Sequence, residues 1–352
     1  MLLSRRLCIA VLFSSLFGAY AQAQPVASGA GATFPSAVYQ AWIAKYEAST
    51  GKKIVYTPTG SGDGIKKISA RQVVFAGSDI ALSEAELAKN QLVQLPTLVG
   101  GMVPVVNLKG MTANELKLNG ELLADIFLGR ITQWNDKRIQ AANPGKALPA
   151  LPITRVVRAD RSGSTEVFTR YLALMSPTFK AELGESSLPK WPQPGNTLVA
   201  AEGNDGIAKA MAANPGAIGY LSYDRVVKLG VASVKLLGGD GSTYVAASEE
   251  GFRAAVVASD LYKKNQETAS LLNMPGASAW PITMTTYVLF DAQPKTAAAV
   301  NEGMQFLYWT QQSGDGLLRN SGFSPLPLAV QARFAIRFAR IKPQDGQMVR
   351  LF

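Results

Sequence analysis

Short runs of aliphatic and β-branched residues, at 54–57, 73–76, 98–106, 153–157, 217–221 and 283–290, alternate along the chain with segments of helical apolar spacing. Several of these runs are continuously apolar, as strands buried on both faces are. Between them, Phe34, Val38, Trp42 and Tyr46 repeat every four residues. Val167, Phe168, Tyr171, Leu172 and Met175 mark a second helical face. A third helix is predicted over 204–213, stopped near Asn214-Pro215-Gly216. Strands alternating with helices predict α/β layers around a mostly parallel sheet. Sheets of that kind bind ligands where strands deliver the chain into helix N-termini, so function is expected at the strand-to-helix turns.

The first residues stand apart from this pattern. Arg5 and Arg6 precede an apolar run from Leu7 to about Tyr20, and Ala21 and Ala23 fit an A-x-A cleavage signal. That layout reads as a secretory signal peptide over residues 1–23, cleaved after Ala23. The run is shorter than the roughly 20 residues that span a bilayer, which argues against a membrane anchor. The single cysteine, Cys8, lies inside it, so no disulfide is expected in the mature chain. Export predicts a periplasmic location, with an extracellular one as the alternative.

At 352 residues the chain exceeds what one hydrophobic core usually serves, so two domains are expected. No Pro/Gly/Ser-rich linker divides it. Gly100-Gly101, followed by 102–108, is a candidate crossing between domains, and 280–290 a candidate return. Two crossings would leave one domain discontinuous, built from both ends of the chain. The net charge is +10, yet no Lys/Arg block or basic-aromatic interleaving occurs, so no nucleic-acid partner is expected. The absence of histidine removes the Ser-His-Asp triad, histidine acid catalysis and most zinc sites. No grouped carboxylates have metal-ligand spacing, and neither a metal nor a cofactor is expected.

Three turns share one physical logic. Gly29-Ala30-Gly31-Ala32-Thr33-Phe34-Pro35 places small residues before a proline suited to the first helical position. Gly60-Ser61-Gly62-Asp63-Gly64-Ile65 feeds a short helix containing Lys66 and Ile68. Asp160-Arg161-Ser162-Gly163-Ser164-Thr165 feeds the helix carrying Phe168 and Leu172. Each aims free backbone N–H groups and the positive helix end at one point, beside a hydroxyl of Thr33, Ser61, Ser162 or Ser164. That arrangement holds an oxyanion with few formal charges. No loop completes a G-x-G-x-x-G or G-x-x-x-x-G-K-[ST] nucleotide signature.

Two ionisable residues complete the set. Arg158 ends an apolar strand four residues before Ser162, and its planar fork suits a tetrahedral oxyanion. Asp160 is placed to pair with Arg158 and orient it. Asp79, in Phe75-Ala76-Gly77-Ser78-Asp79, ends another strand; its alternative role is a cap for a helix over 83–89.

These strings resemble the ligand loops of PstS-type phosphate-binding proteins, the substrate-binding subunits of the phosphate ABC transporter. The resemblance extends to Gly129-Arg130-Ile131-Thr132-Gln133-Trp134-Asn135-Asp136, Asn143-Pro144-Gly145, Gly203-Asn204-Asp205-Gly206-Ile207 and Pro215-Gly216-Ala217-Ile218-Gly219-Tyr220, in order over about 29–289. It implies a type II periplasmic-binding-protein fold, two α/β lobes joined by two crossing hinge strands with the ligand in the cleft. One lobe would comprise 24–104 with 286–352, the other 105–285. By position, Thr33, Phe34, Ser61 and Asp79 would line the site from one lobe, and Arg158, Ser162, Gly163 and Ser164 from the other. Asp160 and Asp63 would stand behind them. Arg161 and Asp63 occupy places where the family typically has glycine. Arg161 should point to solvent or add positive potential. Asp63 should weaken binding unless it faces away or caps its helix.

The resemblance also implies a monomer that carries inorganic phosphate to a membrane permease. Phosphate and sulfate share size and charge, but only phosphate keeps a proton at neutral pH. An ionised Asp79 can only accept hydrogen bonds, so sulfate would leave it unpaired. A site built on one such bond can discriminate by roughly 10⁴–10⁵. An enzyme is not expected, because Ser162 has no histidine to activate it. A surface or matrix protein using the same fold for adhesion or scaffolding is the alternative.

Overall fold

A computed structural model describes residues 27–193 and 198–351; the expected signal peptide lies outside them. The chain begins with β1 (Ala27–Gly31), α1 (Ser36–Thr50), β2 (Ile54–Pro58), α2 (Ser61–Ser69), β3 (Phe75–Ser78), α3 (Glu84–Asn90) and the long β4 (Leu92–Val106). It continues through β5 (Leu116–Leu118), α4 (Gly120–Phe127), α5 (Lys137–Ala142), β6 (Thr154–Arg158), α6 (Gly163–Met175) and α7 (Pro177–Glu182). Then come β7 (Leu198–Ala201), α8 (Gly203–Ala213), β8 (Ala217–Ser222), α9 (Tyr223–Leu229), β9 (Ala232–Leu237), β10 (Tyr244–Val245), α10 (Glu249–Ala258) and α11 (Asp260–Lys263). The last elements are β11 (Thr283–Asp291), α12 (Ala298–Ser313), β12 (Phe323–Ser324), α13 (Leu328–Gln331) and α14 (Phe334–Phe338).

The main strand order is β2-β1-β3-β11-β4-β8-β6-β7. β1 lies parallel to β2 and β3, but β11 inserts antiparallel between β3 and β4 and β4 runs antiparallel to β8, so the sheet is mixed rather than mostly parallel. Beyond β4, β6 is parallel to β7 and β8. All fifteen residues of β4 are buried, and the strand serves two groups of neighbours. Its residues from Leu92 to Gly101 pair with β11, and those from Met102 to Val106 pair with β8. The expected crossing after Gly100-Gly101 is therefore an unbroken strand.

Strand β4 starts six residues earlier than its apolar run suggests, and Pro96 explains the difference. Proline supplies no ladder N–H and is confined in sheets to edges and bulges. Here Thr286 pairs with Leu98 and Tyr287 with Pro96, so Thr97 is the extra residue of a bulge. The helical stripes behave as their spacing demands: Val38, Trp42 and Tyr46 are buried on α1, and Val167, Phe168, Tyr171 and Leu172 on α6. Phe34 lies in the turn before α1, packed edge-on against Phe323 with ring centroids 5.1 Å apart. α3 carries its own capping box, with Ser83 accepting from Glu86 N–H. Asp79 is thereby free of the capping role that its position also permits.

Candidate anion-binding site

One wall of the site is built where β1, β3 and α2 converge. Gly31 has φ +132°, and a Cβ there would come 2.1 Å from the Gly77 carbonyl oxygen, so only glycine fits this crossing. The Ala32 N–H donates to that oxygen at 2.8 Å, and the Gly60 N–H donates to the Gly31 carbonyl at 2.8 Å. Thr33 and Phe34 follow in the turn before α1. Helix α2 begins at Ser61 itself, whose buried Oγ accepts from the Asp79 N–H at 3.1 Å. The second predicted turn and the end of β3 are thus one joined surface.

The opposite wall grows from β6 and α6. Ser162 caps α6 by accepting from the Thr165 N–H at 3.2 Å, which sets Gly163 and Ser164 in its first turn. Arg158 closes β6, and its Nε donates to Asp160 Oδ1 at 2.6 Å while Nη2 meets Oδ2. Asp160 also accepts from the Gly203 N–H at 3.0 Å. Burial alone would raise the Asp160 pKa, but the Arg158 guanidinium and that N–H hold it below the usual carboxylate value. Asp160 fixes the guanidinium in a single orientation, with Nη1 as its remaining edge. Arg158 Nη1 and Ser164 Oγ are both buried and have no hydrogen-bond partner. Two donors withdrawn from water without an acceptor carry a large cost unless a ligand supplies one.

The two walls touch. A Cβ on Gly163 would stand 2.6 Å from both Asp79 Cβ and Ser61 Oγ. The Gly62 N–H donates to the Arg161 carbonyl at 3.2 Å. Asn204 Nδ2 donates to Thr33 Oγ1 at 3.0 Å, and Arg225 Nη2 to Ser36 Oγ at 3.1 Å. Asp79 is only 5% exposed at this junction, and its Oδ1 accepts from Thr286 Oγ1 at 2.9 Å. Burial pushes the Asp79 pKa up to about 7, against the opposing pull of Thr286, Arg158 and the nearby Ser164 hydroxyl.

All eight predicted site residues therefore fall on these two walls. Asp63 turns aside: Lys67, one turn along α2, meets its carboxylate at 2.7 Å. Partial burial opposes ionisation there, yet Lys67 holds the Asp63 pKa below its usual value. Arg161 is exposed, and its aliphatic stem covers Gly62. Sequence reasoning assigned no role to Asn204, Arg225, Thr286 or Tyr220. The Tyr220 hydroxyl meets Thr165 Oγ1 at 2.7 Å, and its ring stacks on Phe168 behind the Arg158 strand. Asn204 and Tyr220 lie within the matched strings, whereas nothing local in the sequence marks Thr286. Among the described residues, no group of three or more acidic or cysteine side chains could hold a metal ion.

A family model described as the PBP superfamily domain matches residues 18–313. The phosphate-binding protein PstS of Xylella fastidiosa is 39% identical over 302 residues, covering 85% of this chain and 81% of that protein. The chain belongs to the PstS family. PstS of Pasteurella multocida is 35% identical over 344 residues, covering 97% of this chain and 98% of its own. The solved structure of a phosphate binding protein from Stenotrophomonas maltophilia matches with a TM-score of 0.65 at 24% identity, over 89% of this chain and 94% of that one. A high affinity periplasmic phosphate-binding protein, PfluDING, matches with a TM-score of 0.67 at 23% identity, over 88% and 92%. Those structures share the periplasmic-binding fold of two α/β lobes. PstS proteins are substrate-binding transport proteins, and no helix among the described residues here is long and apolar enough to cross a membrane.

Proposed function

We propose that this protein binds hydrogen phosphate between its lobes, outside the inner membrane, and delivers it to the permease of a phosphate ABC transporter without chemical turnover. In this reading residues 24–104 with 286–352 form one lobe and 105–285 the other. Thr33, Phe34, Ser61 and Asp79 face the ligand from the first, and Arg158, Ser162, Gly163 and Ser164 from the second. Asp160 orients Arg158, while Asp63 stays out of contact. The protein acts as a monomer in the periplasm, reached through cleavage after Ala23.

One observation carries the reading: Arg158 Nη1 and Ser164 Oγ are buried donors without acceptors, set against the buried acceptor Asp79. A ligand satisfying all three presents several acceptor oxygens and one O–H. Hydrogen phosphate has that set, and sulfate lacks the O–H. The helix starts at Ser61 and Gly163 add N–H donors and partial positive charge without further cations. Closure buries the oxyanion and is favoured by its differential affinity for the closed form.

Thermal-shift titration of the mature protein with phosphate, sulfate and molybdate tests this. Phosphate should raise the melting temperature at micromolar concentration, with sulfate and molybdate inert at a hundredfold excess. Equal stabilisation by phosphate and sulfate would overturn the assignment.

A further inference from the structure

We infer that Thr286, which is not among the eight ligand-facing residues, determines specificity by holding Asp79 in its acceptor state. The inference rests on the phosphate reading above and names a control on that same site. Thr286 is fully buried on β11, and its hydroxyl donates to Asp79 Oδ1 at 2.9 Å. The Ser164 hydroxyl approaches the same carboxylate from across the site, but the bond from Thr286 is the closer-fitted of the two. A donor to the ionised form of an acid favours that form over the neutral one. Thr286 therefore opposes the burial that drives Asp79 toward protonation. A protonated Asp79 would present an O–H of its own, which sulfate can accept as readily as phosphate.

The backbone builds this contact deliberately. The pairing of β11 with β4 slips at Thr286, where Thr97 is the extra residue of the bulge. The Thr97 hydroxyl donates to the Thr286 carbonyl at 3.1 Å and meets the Tyr39 hydroxyl at 3.0 Å. Bulges re-aim side chains beside functional sites, and this one is pinned from α1. The remaining titratable and charged groups around Asp79 are few. Arg158 lies across the site, and Arg170 of α6 shares a small cavity with Asp79, Thr285 and Tyr287. Tyr39 and Tyr56 approach from α1 and β2. Burial raises the pKa of Tyr39, Tyr56 and Tyr287, so all three stay neutral. Thr286 is thus a neutral group, outside the proposed ligand-facing set, through which the carboxylate can be tuned without altering charge.

The test compares Thr286→Val, Thr286→Ser and Thr285→Val by calorimetry with phosphate and with sulfate from pH 5 to 8.5. Thr285 neighbours the same cavity but makes no bond to Asp79, which makes its valine variant the control for altered packing on β11. In wild type, sulfate binding should emerge only as the pH falls and Asp79 protonates. Thr286→Val should lower the phosphate-to-sulfate affinity ratio roughly tenfold and move that onset upward by about one pH unit, the loss of one hydrogen bond to a charged group. Thr286→Ser should restore both, and Thr285→Val should leave both unchanged. Wild-type selectivity and pH profile in Thr286→Val, or equal relaxation in Thr285→Val, would overturn the inference. Should Thr286→Val misfold, the sulfate onset in Thr286→Ser decides: an onset displaced from wild type counts against a role carried by the hydroxyl alone. Failure of the wild type to bind phosphate would instead sink the functional reading itself.

Discussion

At the scale of single residues, the site depends on how differently it treats its acids. Asp160 is held ionised by the Arg158 fork, and Asp63 is neutralised by Lys67 outside the site. Asp79 has no such cation bonded to it, and burial raises its pKa from 3.8 to about 7. In an open cleft the carboxyl meets water and regains its ordinary value, so closure takes up a proton between about pH 4 and pH 7. The sign follows: without ligand, closure is easiest below pH 4 and becomes harder as the pH rises through 7. A displacement of three units corresponds to about 4 kcal/mol. Small-angle scattering of the ligand-free protein should therefore give a smaller radius of gyration at pH 5 than at pH 8. Asp79→Asn should abolish that difference and stay compact at pH 8. A pH-independent radius in the wild type would contradict the account. The placement of Arg158, Ser162 and Asp79 at strand ends and at a helix start was legible in the sequence, because apolar runs and Gly/Ser turns announce themselves. The contact of Thr286 with Asp79 was not, since it joins residues 207 positions apart.

Among the elements, the starts of α2 and α6 would, in the proposed site, do the work that charge does elsewhere. They meet at Gly163, where any Cβ would stand 2.6 Å from Ser61 Oγ and Asp79 Cβ. Separation of the lobes would remove that clash. Gly163→Ala should therefore leave the ligand-free melting temperature within about 2 °C while weakening phosphate binding by roughly a hundredfold, as calorimetry would show. Unaltered affinity would mean that the helix starts do not approach so closely in the bound form. The strands β2, β3, β4, β6, β8 and β11 and the helices α1, α6 and α8 were readable, because continuous apolar runs and helical apolar spacing mark them. Boundaries suffered where local chemistry and tertiary context disagreed. Pro96 interrupts the reading of β4, yet a bulge accommodates it. β5 and β12 have only three and two residues and form through pairing partners distant in sequence, and β10 is a two-residue arm against β9, all leaving little local signal.

Across the whole molecule, β4 belongs to the ladders on both sides of the cleft, with β11 bonded along one part and β8 along the other. Melting either side strips β4 of half its partners, so the lobes should unfold together. Differential scanning calorimetry of the mature protein should give one transition with matching calorimetric and van't Hoff enthalpies; two resolved peaks would show independent lobes. The polar bridges Asn204–Thr33 and Arg225–Ser36 can form and part across the cleft without disturbing that common strand. The enclosed carboxylate then has a second consequence. In the proposed transport role, a permease that answers to the shut shape would be triggered by an empty closed carrier as well as by a loaded one. Above pH 7 an empty molecule can shut only by entombing a bare negative charge, whereas hydrogen phosphate brings the proton that answers it. In the proposed role, the acid that recognises the cargo would also keep the empty carrier from reporting a delivery that never came.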